Sequence, residues 1–134
     1  MGDSKMNCVL LADRHQTLSE GARGLLGTMF GCVFAVAEEG SLLEGAARIQ
    51  PSLVVVDLSL AAGNVVGLLK SIRQRAPATK VLLLTVHDEP TVATAALAAG
   101  ADGVVLTRAI ATDLLPAVDA ILAGQSYRSA AFTH

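Results

Sequence analysis

Aromatic side chains are scarce in this chain of 134 residues, making up 3% of it, and tryptophan is absent. Small and branched aliphatic residues dominate the 52% of the chain that is hydrophobic. Such a composition favours thin helices lying close to an aliphatic sheet over a barrel filled with aromatic side chains. The hydrophobic content is ample for the single core of one domain of this length.

An excess of charge of one sign is also lacking. Ten lysines and arginines stand against 12 aspartates and glutamates, which gives a formal net charge of −2. The sequence contains no basic stripe and no interleaving of basic and aromatic residues of the kind that binds DNA or RNA. We therefore expect no contact between this segment itself and nucleic acid.

Long apolar runs and closely spaced cysteines are missing as well. The apolar runs are much shorter than the roughly 20 residues that cross a bilayer, and the first residues do not form a secretory signal. We therefore predict a cytoplasmic domain without membrane contact. Cys8 and Cys32 lack CxxC spacing and each lies in an apolar run, which favours buried thiols over a disulfide, redox or metal-binding role.

Strand-like and helix-like hydrophobic patterns alternate along the chain, and the helical segments are long enough to connect parallel strands. We predict five strands, each followed by a helix. The predicted strands are about Asn7–Ala12, Val33–Ala37, Leu53–Leu58, Lys80–Thr85 and Gly103–Leu106. The predicted helices are about Gln16–Met29, Ser41–Ile49, Val65–Arg75, Thr91–Ala99 and Thr112–Ala123.

The first predicted helix carries three glycines on the flank and back of its apolar stripe, Gly21, Gly24 and Gly27. Each glycine costs a helix about 0.5–1 kcal/mol relative to alanine. Two interpretations remain open. Either the helix tolerates them because its buried face holds it in place, or a partner helix approaches closely there.

Three of the predicted strands end in an oxygen-bearing side chain: Asp13, Asp57 and Thr85. Parallel strands bring these ends to one edge of the sheet, where open α/β sheets bind ligands. Two carboxylates there repel each other and suit a divalent cation such as Mg²⁺. A carboxylate beside such an ion can also act as a nucleophile toward phosphorus. The alternative interpretation is that these strand-end residues are unrelated.

Six short segments occur in a characteristic order and spacing. They are Leu11–His15, Val56–Leu60, Leu68–Arg73, Leu84–Asp88, Ala99–Gly103 and Leu122–Tyr127. In this combination, the chain from about residue 7 to residue 127 resembles the receiver domain of two-component response regulators, and in particular the NarL/FixJ branch of transcription factors. The resemblance implies a receiver domain over residues 1–127, with 128–134 as the start of a linker towards an absent helix-turn-helix domain that binds DNA.

The resemblance implies a flavodoxin-like fold, with a doubly wound, five-stranded parallel sheet of order 2-1-3-4-5 and helices on both faces. It also implies that a histidine kinase phosphorylates Asp57. Asp13, Asp57 and the backbone carbonyl of Ser59 would hold Mg²⁺. Thr85 would contact a phosphoryl oxygen and draw the loop after its strand inward.

Two departures from the family pattern put this chemistry in doubt. Arg14 stands where the second carboxylate of an acidic pair is expected, and Thr107 aligns with the lysine that pairs with the phosphoryl group. The usual three carboxylates and one lysine carry a formal charge of −2, whereas Asp13, Asp57, Arg14 and Thr107 carry −1. A divalent cation is therefore attracted less strongly.

Arg14 allows two interpretations. Its guanidinium can pair with Asp57 as a counter-charge in the place of the ion, or it can turn into solvent and leave a weakened but usable site. Arg108, next to Thr107, replaces the lysine only if the strand has already ended, because successive strand side chains point to opposite faces. The loop histidines His15 and His87 are predicted to be exposed and without a role.

Our leading hypothesis is a regulatory, non-enzymatic receiver domain with a degenerate site, in which Mg²⁺ binding is weak or absent and phosphorylation is poor. One alternative is a conventional receiver that is switched by phosphorylation of Asp57. A small phosphoryl-transfer enzyme is disfavoured, because no glycine-rich phosphate loop or base–nucleophile pair accompanies the carboxylates. The resemblance suggests homodimers through helices 1 and 5, or through helix 4, strand 5 and helix 5; Gly24 favours the first.

Overall fold

The structure, a computed structural model, describes residues 7–61 and 63–129, with only the backbone of residues 16–19. Most of the predicted linker, 130–134, lies outside these residues. The described residues form six strands: β1 Cys8–Ala12, β2 Cys32–Val36, β3 Leu53–Asp57, β4 Lys80–Thr85, β5 Gly103–Leu106 and β6 Tyr127–Arg128. The five α-helices are α1 Gln16–Leu26, α2 Glu39–Ile49, α3 Val65–Arg75, α4 Pro90–Ala98 and α5 Ile110–Leu122.

The strands form one parallel sheet in the order β2-β1-β3-β4-β5-β6. The predicted order of the first five strands is therefore found, but the prediction of a five-stranded sheet is wrong. After α5 the chain returns along β5, where Tyr127 pairs with Gly103. Arg128, the first residue of the predicted linker, pairs with Val104. Two residues are too short a run for hydrophobic alternation to be recognised in the sequence.

Helices cover both faces of the sheet. On one face α1 and α5 pack over side chains that include Val9, Leu11, Val55 and Leu82. On the other face α2, α3 and α4 pack over the residues that alternate with these, such as Leu10 and Val54. Strands that are buried on both faces need nearly continuous apolar sequence, which explains why β3 and β4 were recognised so readily.

Gly103 allows α5 to lie close to β5. A Cβ atom at this position would be 2.7 Å from Cδ1 of Ile121 and 3.1 Å from Cδ1 of Leu82. Gly21 and Gly24 are different, because a Cβ atom at either would meet no atom within 4 Å. Within the described part of the chain, no intramolecular neighbour therefore requires these two glycines of α1.

Cys8 and Cys32 lie directly opposite each other on β1 and β2, as free thiols. They are half-buried rather than fully buried, since Cys32 lies on the edge strand β2 and Cys8 is the first residue of β1. Burial, together with the neighbouring Cys32, raises the pKa of the Cys8 thiol. None of the helices formed by the described residues is both long enough and apolar enough to cross a bilayer.

The sheet order determines where a site can form. The chain leaves β1 for β2 on one side and later returns to β3 on the other side of β1, so the direction of winding reverses between β1 and β3. Crevices beyond the carboxyl ends of strands at such a reversal are the usual ligand sites of open α/β sheets. Asp13 directly follows β1, and Asp57 is the last residue of β3.

Candidate functional site

Asp57 is buried at the carboxyl end of β3, with 6% of its surface exposed. The neighbouring short 3₁₀ turn, Leu58–Ala61, places Ser59 against its carboxylate. The Ser59 backbone N–H donates to Oδ1 of Asp57 at 3.2 Å, and the Ser59 hydroxyl donates to Oδ2 at 3.0 Å. Ser59 thus orients the carboxylate, which still has acceptor positions open for other partners.

Asp13 lies beside Asp57 and is more deeply buried, with 3% of its surface exposed. Its Oδ1 accepts a hydrogen bond of 2.8 Å from the backbone N–H of His15, whereas its Oδ2 is buried without a hydrogen-bond partner among the described residues. Burial is the main cause that raises the pKa of Asp13; the His15 N–H opposes this effect, and the Asp57 carboxylate adds to it. A cation fits here, because it would supply the partner that Oδ2 lacks.

Arg14 is exposed and forms no ion pair with Asp57 in the part of the chain that the structure describes. The hydrogen bond from the His15 N–H to Asp13 closes a turn around residue 14 and directs its side chain outward. The predicted resting pair between Arg14 and Asp57 is therefore not formed here. The structure instead has the other arrangement that the sequence allowed, with the guanidinium in solvent.

In this turn it is the imidazole of His15, and not the guanidinium of Arg14, that approaches Asp57. Its Nε2 lies 4.0 Å from Oδ2 of Asp57, although 68% of the His15 side chain is exposed. His15, Asp13 and Asp57 each offer a ligand atom, and these atoms all lie within 4.8 Å of one another. Our prediction that His15 has no role did not foresee this cluster.

Thr85 ends β4 and is buried, and its hydroxyl oxygen accepts a hydrogen bond of 3.0 Å from the His87 N–H. The hydroxyl hydrogen of Thr85 is left to donate to a ligand. Thr107 begins a 3₁₀ turn directly after β5. Its hydroxyl oxygen is buried and finds no hydrogen-bond partner within the described ranges.

Arg108 does not replace the missing lysine, even though β5 has already ended at Leu106. Its guanidinium forms an exposed ion pair of 3.1 Å with Asp88 in the loop after β4. Asp102 lies just before β5, and its carboxylate accepts from the Val81 N–H at 2.9 Å and from Arg73 at 3.1 Å. Both acidic residues therefore have structural partners away from Asp57.

A cleft of about 890 Å³ opens above these strand ends. Its lining includes Asp57, Thr85 and Thr107, the exposed histidines His15 and His87, and several apolar side chains. Sequence reasoning missed two members of the site, His15 and the Ser59 hydroxyl. The signal for both was proximity in sequence, because each lies two residues beyond the strand-end carboxylate that it contacts.

Comparison with known proteins identifies relatives over nearly the whole chain. The family model described as "Response regulator receiver domain" matches residues 9–119. The transcriptional regulatory protein DegU of Brevibacillus brevis is 29% identical over 138 residues, which cover 100% of this chain and 57% of DegU. The DNA-binding transcriptional activator DevR/DosR of Mycobacterium tuberculosis is 32% identical over 121 residues, which cover 88% of this chain and 55% of DevR/DosR. The chain thus spans little more than half of these relatives.

Solved structures show the same similarity. A two-component response regulator of the LuxR family from Aurantimonas sp. SI85-9A1 is 30% identical, with a TM-score of 0.83 over 94% of this chain and 91% of that one. The isolated receiver domain of RcsB from Salmonella enterica serovar Typhimurium, in its apo form, is 25% identical, with a TM-score of 0.79 over 95% of this chain and 96% of that one. The flavodoxin-like receiver fold is therefore confirmed.

Proposed function

This chain belongs to the response regulator receiver domain family, and on that premise we propose that it is the input domain of a NarL-type transcriptional regulator whose phosphorylation site is degenerate. The curated relatives are regulatory proteins, which supports a regulatory role over that of a phosphoryl-transfer enzyme. We infer that the domain accepts phosphate from a histidine kinase poorly or not at all. The observation that carries this proposal is Thr107, a neutral side chain whose buried hydroxyl stands at the lysine position.

We propose the roles of the retained residues from the resemblance to the family, and their geometry supports these roles. Asp57 is the phosphoacceptor: one carboxylate oxygen would attack phosphorus while the bond from phosphorus to the kinase histidine breaks. Thr85 would donate its remaining hydroxyl hydrogen to a phosphoryl oxygen. Since Thr85 also accepts the His87 N–H, a shift of its hydroxyl would be transmitted directly to the loop after β4.

Mg²⁺ would be held by Asp13, Asp57 and the Ser59 carbonyl, and it would offset the negative charge of the phosphoryl group. The unpartnered Oδ2 of Asp13 supports a cation at this place. The set nevertheless lacks the second carboxylate of the family's acidic pair, because Arg14 stands at that position in the chain. We therefore propose that Mg²⁺ binds weakly.

Arg14 also acts at a distance on this site. A guanidinium on the residue between Asp13 and His15 lowers the local negative potential even when it is solvated, although solvent and salt screen the effect. We propose that it swings onto Asp57 during fluctuations of the exposed side chain and then competes with a cation for the same oxygens.

The partners proposed for the complete regulator follow from its relatives. A C-terminal domain outside this chain would bind DNA, in keeping with the length of the relatives, and the regulator would act in the cytoplasm. We propose a homodimer through α1 and α5. The open surface at Gly21 and Gly24 and the 44% exposure of Leu122 at the end of α5 support this face.

Intact-mass spectrometry after incubation with acetyl phosphate and Mg²⁺ tests the proposal. We expect a phosphoryl adduct on only a small fraction of the protein, with Asp57→Asn as the control that defines background. Rapid and stoichiometric addition that depends on Asp57 would instead support the conventional receiver, which the retained Asp57 and Thr85 also allow.

A further inference from the structure

The strongest feature without a role so far is the imidazole of His15, which forms a cluster with Asp13 and Asp57. The cluster combines two buried carboxylates with one exposed imidazole, and their ligand atoms lie within 4.8 Å of one another. We propose that this cluster binds a divalent transition ion of the zinc and cobalt class, with the His15 imidazole as the ligand that selects this ion over Mg²⁺.

The first argument is the unfilled oxygen of Asp13. Oδ1 already accepts the His15 N–H, but Oδ2 is buried and has no hydrogen-bond partner in the part of the molecule described by the structure. Leaving a buried acceptor unpaired costs about 1–3 kcal/mol, and more for a charged group. A bound cation removes this cost without any rearrangement of β1 or of the turn that follows it.

The second argument is the reach of the imidazole. Nε2 of His15 lies 4.0 Å from Oδ2 of Asp57. Ligand atoms about 2.1 Å from a tetrahedral ion stand roughly 3.4 Å apart. To share an ion with Asp57, His15 must therefore move so that this distance shortens by about 0.6 Å, and the other distances among the three ligand atoms, all within 4.8 Å, must shorten by at most about 1.4 Å. Its exposed side chain is free to make that movement, whereas the Ser59 hydrogen bonds hold the Asp57 carboxylate in place.

The third argument is ligand chemistry. Mg²⁺ prefers octahedral oxygen coordination and retains its waters, whereas imidazole nitrogen suits zinc, cobalt and nickel. Two carboxylates and one neutral imidazole balance the charge of a divalent ion. Three protein ligands leave further coordination positions open toward the cleft, as in zinc sites that keep an exchangeable ligand.

This inference extends the proposed function and can fail independently of it, since it concerns which ion binds and not whether Asp57 is phosphorylated. Chelator-treated, untagged protein is titrated with CoCl₂ while the visible absorption of the ion is followed. We expect saturation at one equivalent, displacement by an equivalent of ZnCl₂, and no displacement by a hundredfold excess of MgCl₂.

Two variants identify the ligand. His15→Ala should weaken Co²⁺ binding at least tenfold, whereas His87→Ala, which removes the other exposed histidine that lines the same cleft, should leave binding unchanged. Failure to saturate, displacement by Mg²⁺, or equal affinity of the His15→Ala variant would overturn the proposal. A thiolate-to-cobalt absorption band would also overturn it, because the ion would then lie at Cys8 and Cys32.

Discussion

Nε2 of His15 lies 4.0 Å from Oδ2 of Asp57, and the side chain of the preceding residue, Arg14, is exposed to solvent. The hydrogen bond from the His15 N–H to Asp13 closes the turn after β1, from which the exposed imidazole of His15 reaches towards Asp57 while Arg14 extends into solvent. The imidazole of His15 thus lies beside Asp57, where the guanidinium of Arg14 was predicted to pair. Asp13 and Asp57 remain at this site, and Thr107 stands at the position where the resemblance predicts a lysine.

Replacing Asp13 by asparagine should stabilise the metal-free domain at neutral pH by roughly 1 kcal/mol. Burial raises the pKa of Asp13 in the folded state above its ordinary value of 3.8. The contribution of Asp13 to stability is therefore fully present below pH 3.8 and is lost as the pH rises through the folded pKa. Asparagine has no charge to desolvate and can still accept the His15 N–H.

Urea unfolding in the presence of a chelator measures this effect. The advantage of Asp13→Asn over the natural chain should be largest near neutral pH and should shrink as the pH falls towards 3.8. Asp119→Asn is the matched control, since Asp119 is exposed on α5 and its replacement should change little. A variant less stable than the natural chain at neutral pH would show that the charged Asp13 carboxylate does not destabilise the folded domain.

Replacing Gly103 by alanine should destabilise the domain by about 1–3 kcal/mol, the usual effect of overpacking. The added Cβ would be 2.7 Å from Cδ1 of Ile121 and 3.1 Å from Cδ1 of Leu82, so these side chains must leave their packed positions or α5 must move away from β5. Gly40→Ala is the control, because a Cβ there meets nothing within 4 Å. Thermal unfolding should show a lower midpoint for Gly103→Ala and an unchanged or slightly higher one for Gly40→Ala; equal midpoints would contradict the packing described here.

Replacing Gly24 by arginine should convert a homodimer formed through α1 into a monomer. A Cβ atom at this position meets no atom within 4 Å, so we expect the fold to remain intact while the close approach of a second α1 is blocked. Gly40→Arg places the same side chain at another open helical glycine, on α2, and should leave the dimer intact. Small-angle scattering over a concentration series distinguishes the two; a dimeric Gly24→Arg variant would point to another interface.

The predictable part of the fold is the part with a strong hydrophobic pattern. The bounds of β4, β5 and α3 agree with the sequence prediction, because β4 and β5 are apolar runs and α3 has a regular apolar stripe. The two-residue strand β6 escaped prediction because its pairing with β5 depends on where α5 delivers the chain. Helix ends were displaced by one to three residues, as at α1, which ends at Leu26 rather than Met29.

The candidate site was predictable to the extent that strand ends determine it. Asp13, Asp57 and Thr85 converge because parallel strands end at one edge of a sheet. The directions of Arg14 and His15 depend instead on a single side-chain-to-backbone hydrogen bond in the turn after β1. The residue types of Arg14 and His15 alone did not predict which of the two side chains would face Asp57.

The most direct test of the degenerate site restores its two missing groups together. Intact-mass spectrometry with acetyl phosphate and Mg²⁺ compares the phosphoryl occupancy of Asp57 in the natural chain and in the double variant Arg14→Asp, Thr107→Lys. We expect at least a tenfold higher rate of adduct formation in the double variant, because it regains a carboxylate for the ion and a cation for the phosphoryl group. Equal rates in the two proteins would contradict the account.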